Sequence, residues 1–244
     1  MSGVDPIRTY SSDCFREDWY LWRVTASLGF PLHRLLLAAA SCSALSIPSY
    51  AVTPPPPLPF DSIDETLNAK PVTRLVMGRF VISLEVTALA GVQKTIGVGS
   101  MEYQGDGADA ASWLCYTLDS SAPRQRLWIV SNAEMGGPER LVDGVRAQYG
   151  DRIDASSDCP SLPKRFQPVS LNRGLWLGKV ETSIRAKFGS PSKTIGNWEQ
   201  FYYLGKTRGD GKCAPDGYDV TNGFSVKIEG GVVNDVQASQ VTSC

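Results

Sequence analysis

The chain has 244 residues, with 24 Lys plus Arg against 25 Asp plus Glu and a formal charge of −1. A balance so close to zero provides no field for steering nucleic acid or for gathering on an anionic membrane. His33 is the only histidine, so any chemistry that needs an imidazole downstream of it is excluded.

Residues 1–33 mix acids and arginines with Trp19 and Trp22 and show no repeat. They read as an extension upstream of an export signal, residues 34–51. There Arg34 precedes an apolar run too short to span a bilayer, and the run closes on Ser49-Tyr50-Ala51, with small residues where a signal peptidase reads. Cleavage after Ala51 leaves Cys115, Cys159, Cys213 and Cys244 as the remaining cysteines, and no histidine. A rival reading takes Ala39-Ala40-Ser41-Cys42 as a lipidation site, with Cys42 as the anchored N-terminus. Either way the protein is expected in the periplasm or outside the cell, as a secreted protein or as an outer-membrane lipoprotein, with no transmembrane segment and no cofactor.

Residues 52–60 are proline-rich and are expected to form a polyproline spacer that stands off its surroundings. Downstream, Leu89, Val92 and Ile96 recur at helical spacing before Gly97. Leu177, Val180, Ile184 and Phe188 do the same before Gly189 and Pro191. Val92 and Ile96 lie 92 residues before Ile184 and Phe188. After each helix comes an aromatic-rich strand (residues 112–118 and 198–204). A hairpin follows, with a glycine pair between its strands (Gly136-Gly137 and Gly230-Gly231). The predicted fold is α+β: two tandem units, each a short helix packed on a three- to four-stranded antiparallel meander. The first unit covers residues 61–160 and the second 161–244, with residues 148–173 as the link.

Four cysteines allow three pairings. Pairing within units joins Cys115 to Cys159 and Cys213 to Cys244, closing loops of 44 and 31 residues. Zinc is the alternative, but no Cys-x-x-Cys occurs and no histidine is available.

In residues 174–191 a helical pattern ends in Gly189-Ser190-Pro191. A strand with Trp198 and Tyr202 follows, and then the hairpin of residues 224–238. This order resembles the superfamily of the small lipoprotein of the outer-membrane barrel-assembly machinery. It is also similar to the β-lactamase inhibitory protein, which doubles such a unit. The resemblance covers residues 174–244 well and 80–147 weakly. It implies a non-catalytic protein that binds other proteins through its sheet or helix edge, such as an inhibitor, an immunity protein or an envelope-assembly factor.

On the residues themselves, Phe224, Val226 and Ile228 should face the helix while Ser225, Lys227 and Glu229 face away. Aromatic anchors on an open sheet suit a protein interface, so Tyr116, Trp128, Trp198, Tyr202 and Lys227 are the candidate partner-binding residues. An exported hydrolase acting on cell-wall or polysaccharide substrate is the alternative, with Glu102, Asp106 and Asp109 as its acids. Their spacing does not match an EF-hand loop. Gly205-Lys206-Thr207 resembles the end of a phosphate loop, but Gln200 stands where its first glycine belongs, so it reads as a plain loop. Arg208-Gly209-Asp210 reads as a hairpin tip.

Overall fold

Alternation of apolar and polar residues builds most of this protein. In the computed structural model, strand makes up 48% of the described residues and helix only 15%. Residues 53–56, 66–119, 123–132, 139–150, 155–207 and 217–243 are described, all within one unit spanning residues 49–244. The upstream extension, the signal and Cys42 lie outside the described residues, as do Gly136-Gly137, Arg208-Gly209-Asp210, Cys213 and Cys244.

The elements in order are β1 (Arg74–Met77), β2 (Phe80–Ser83), α1 (Leu89–Ile96), β3 (Glu102–Gln104), β4 (Ala111–Leu118), β5 (Gln125–Asn132) and β6 (Gly144–Tyr149). After them come β7 (Val169–Leu171), α2 (Glu181–Phe188), β8 (Lys193–Ile195), β9 (Trp198–Thr207), β10 (Tyr218–Glu229) and β11 (Val232–Ser243). Both helices stop at the expected glycines: the Gly97 amide returns to the Gln93 carbonyl, and the Gly189 amide to that of Arg185. Gly97 adopts φ 80°, which a residue with a Cβ adopts only with strain. Val180, expected on the inner face of the second helix, instead precedes it and is 53% exposed. Gly230 and Gly231 take φ 59° and 77° and turn β10 tightly into β11.

The expected pair of tandem helix-plus-meander units is not what forms. The strands order as β3-β4-β5-β6-β11-β10-β9-β8 in one antiparallel sheet, beside a second sheet β2-β1-β7. The junction is β6 against β11, with Ala147 opposite Val236 and Val145 opposite Ala238. Separate units would leave both of these strands as open edges, with rows of unpaired N–H and C=O groups. Pairing them removes both edges. The boundary expected near residue 160 fails for a related reason. Leu114, Ile129 and Val145 share one buried cluster with Phe201, Phe224 and Val236, and Leu75, Met77, Ile82 and Leu171 of the small sheet join it. Residues 148–173 are therefore not a simple link, since β7 within them pairs with β1.

One face of the large sheet carries the helices. Phe188 of α2 meets Phe224 edge-on at 4.8 Å, and Phe224 stacks on Phe201 at 4.6 Å. Asn222 joins the chain before β1 to the large sheet: its Oδ1 accepts from the Val72 amide at 3.2 Å, and its Nδ2 donates to the Val72 carbonyl and to Gln240 Oε1. The other face has a smaller cluster of Trp113, Cys115, Trp128, Val130 and Cys159. There the disulfide Cys115–Cys159 forms, with Cα atoms 4.6 Å apart. No helix among the described residues is long and apolar enough to cross a membrane.

Candidate functional site: the helix-free face of the large sheet

Side chains on adjacent strands line up across a sheet in rows set by the register. Two such rows cross the helix-free face. The outer row runs Arg126, Gln148, Asp235, Lys227, Trp198, taking one side chain from each of β5, β6, β11, β10 and β9. All five are half-buried, and at the usual strand spacing the row is about 19 Å long. The inner row runs Cys115, Trp128, Arg146, Gln237, Ser225, Gln200, and every member is buried.

The candidate residues from the sequence separate on this geometry. Trp198 and Lys227 are direct cross-strand neighbours in the outer row. Tyr116 lies on the opposite, helix-covered face, fully buried, with its hydroxyl donating to the Val98 carbonyl at 3.1 Å. Trp128 and Tyr202 lie on the helix-free face but are each only 1% exposed. Tyr202 is 3.3 Å from Ser225 Oγ, and its ring covers Gly223, where an added Cβ would come within 2.3 Å of the ring. These three tyrosine and tryptophan side chains are therefore packing residues in this chain rather than exposed anchors. Arg126, Gln148 and Asp235 are not among the residues singled out from the sequence; they lie on β5, β6 and β11, where no face was assigned from the pattern.

The face is electrostatically unusual for its burial. Burial pushes the Asp235 carboxyl up to about 6, against a hydrogen bond from Gln237 and the nearby Lys227 and Arg146. Burial lowers Arg146 to about 10, with Asp143 and Asp235 opposing the shift. Asp235 Oδ1 and Gln237 Oε1 are buried without a hydrogen-bond partner, an arrangement that costs stability unless another group supplies donors. Behind the face, Asp143 accepts from the Asn132 amide at 3.0 Å and from its Nδ2 at 2.9 Å. Burial still raises Asp143 to about 7, with Glu85 adding to the shift.

These two carboxyls fix a sign. Both hold a proton more tightly in the folded than in the unfolded chain, so their contribution is most favourable below about pH 4 and is lost as pH rises through 6 to 7. The melting temperature should therefore be higher at pH 5 than at pH 8, and Asp143→Asn should flatten that slope. Thermal melts at four pH values check it; an unchanged slope in the variant would remove Asp143 as the cause.

Two of the acidic residues proposed for hydrolysis make short-range contacts. Glu102 Oε1 accepts from Ser100 Oγ at 2.5 Å, and Asp106 Oδ1 caps the turn at the Gly107 amide. Among the described residues no group of three or more His, Cys, Asp or Glu side chains is placed to hold a metal ion. Gly205, Lys206 and Thr207 lie in β9 rather than in a loop.

The proline-rich segment also departs from expectation. Thr53 to Pro56 does not stand off. Trp128 Nε1 donates to the Thr53 carbonyl at 3.1 Å, Arg146 donates to the Pro56 carbonyl, and the Thr53 amide donates to Asp158 at 2.9 Å. No family model, curated protein or solved structure gives a match to this chain.

Proposed function

We propose that this protein is a non-catalytic binding module that grips another protein with the helix-free face of its eight-stranded sheet. It would work after export, in the periplasm or outside the cell, as an inhibitor, an immunity protein or an envelope-assembly factor. The observation that carries the reading is the outer row. Arg126, Gln148, Asp235, Lys227 and Trp198 present alternating donors, acceptors and one large aromatic along a straight line. Interfaces concentrate their energy in such aromatic and charged positions, surrounded by contacts that exclude water. The buried, unpartnered Asp235 Oδ1 and Gln237 Oε1 beside the row are acceptors that a partner's donors would satisfy. The disulfide fits an oxidising compartment. The lack of histidine after residue 33 agrees with a role that needs no acid–base chemistry.

The test uses residues that packing does not depend on. Trp198→Ala combined with Lys227→Ala should shift the melting temperature by only a few degrees, because half-exposed substitutions cost little. The same pair should weaken partner binding at least ten-fold, about 1.4 kcal/mol. Proteins captured from the source extract by the native chain are compared with those captured by the double variant, and binding curves are measured for those that differ. Equal capture and equal affinity would move the interface off this face.

A further inference from the structure

The contacts of Thr53 to Pro56 have the chemistry of peptide recognition. Proline carbonyls in an extended polyproline segment have no internal hydrogen bonds. Domains that read such segments offer aromatic side chains and donors aimed at those carbonyls. Here the donors are Trp128 Nε1, on the Thr53 carbonyl, and the Arg146 guanidinium, on that of Pro56. Asp158 fixes the leading end by accepting from the Thr53 amide. Against the desolvation of its partial burial, hydrogen bonds from Ser156 and Thr53 keep the Asp158 carboxyl below the usual range.

Beside the segment lies a cleft of about 380 Å³, lined by Pro54 and Pro55 on one side and by Trp113, Asn132 and Arg146 on the other. Trp113 Nε1 is buried and has no hydrogen-bond partner. The chain's own segment therefore leaves the indole N–H of one lining residue without a partner. The Asn132 amide is held in place by Asp143, so it is a fixed rather than a floppy contact.

We infer that Trp128 and Arg146 together with the adjoining cleft at Trp113 form a recognition groove for an extended proline-rich segment of a partner protein, and that residues 53–56 occupy its Trp128–Arg146 part in the isolated chain. This rests on the reading of the helix-free face as the partner surface. A foreign segment that reaches Trp113 as well as Trp128 and Arg146 makes one more hydrogen bond than the chain's own segment and displaces it. The native chain binds such a segment more weakly than its intrinsic affinity, because only the fraction with an open groove is competent.

The experiment uses the synthetic peptide Val-Thr-Pro-Pro-Pro-Pro-Leu-Pro, copied from residues 52–59, and a proline-free peptide of equal length. A full-length variant with Pro54→Gly, Pro55→Gly and Pro56→Gly loosens the internal competitor. It should bind the proline peptide at least ten-fold tighter than the native chain does, and the control peptide at neither. In the unaltered chain, excess proline peptide should shift the indole N–H resonances of Trp113 and Trp128 and release the Thr53 amide from Asp158. This second measurement stands even if the triple variant folds poorly. Resonances that stay in place at millimolar peptide, or equal binding of the control, would overturn the inference. A dimer of the native chain that grows with concentration and vanishes in the triple variant would also overturn it, by assigning the groove to the segment of a second copy. Failure here with partner binding still lost in the Trp198 and Lys227 double variant would leave the proposed function intact. Peptide binding with no effect of that double variant would instead confine the interface to the groove.

Discussion

Replacing Cys115 and Cys159 together with alanine is expected to cost about 4 kcal/mol of stability, the chain-entropy value for opening a loop of this length. For a chain of this size that lowers the melting temperature by about 8 to 16 °C. The bond joins β4 to the segment leading into β7, and other contacts follow the same line. The Thr117 amide donates to the Pro160 carbonyl at 2.9 Å, and the Leu162 amide to the Thr117 carbonyl at 2.8 Å. Residues 160–162 thus cover the part of the β4 edge that β3, only three residues long, does not reach. Without the disulfide this edge should fray first, visible as faster amide exchange at Thr117 and Leu162. Substitution is the cleaner experiment than reductant, since reductant would act on every cysteine at once. A loss below about 1 kcal/mol would mean that the backbone contacts alone hold the segment.

The second large effect is expected at Trp128. Truncation to alanine should cost about 3 to 5 kcal/mol, the range for removing a large buried aromatic, because the ring is 1% exposed and packs with Trp113 and the disulfide. Tyr202→Ala should fall in the same range, since Tyr202 is equally buried. Tyr202→Phe removes only the hydroxyl beside Ser225 and should cost about 0.5 to 1.5 kcal/mol. Trp198→Ala provides the contrast: it sits on the same strand and face as Tyr202 but is half-buried, and its loss should stay within about 1 kcal/mol. Denaturant melts of the four variants separate packing from surface. Similar losses at Trp128 and Trp198 would contradict the division of the face into a buried inner row and an accessible outer one.

That division shows where a linear reading stops. Alternation puts Ser225, Lys227 and Glu229 opposite Phe224 and Val226, but only the register places Trp198, Tyr202 and Trp128 on the same face as Lys227. Whether a position on that face meets solvent depends on what lies over it, and for Trp128 that includes Thr53, distant in sequence. Tyr116 belongs to the helix-covered core instead, since an aromatic at an inward position looks the same in sequence as one facing out. The polar members of the rows were missed because Gln148 and Asp235 become neighbours only when β6 meets β11.

By itself the sequence determined what acts over short range. The spacing of Leu89, Val92 and Ile96 with Gly97 behind them set the first helix, and Gly189 ended the second. The glycine pair at 230–231 set the long hairpin, and cysteine position allowed the pairing of Cys115 with Cys159. Only the tertiary structure decided the joining of two meanders into one sheet and the existence of the β2-β1-β7 sheet. It alone also decided the seating of the proline segment. Strand edges bond through backbone N–H and C=O groups that every residue carries, so the side-chain pattern does not say which edges will pair. The short strands β1, β2 and β7 of three or four residues leave too brief an alternation to detect. A proline-rich segment has free carbonyls wherever it lies, and its place is set by the donors the fold brings to it, here Trp128 and Arg146.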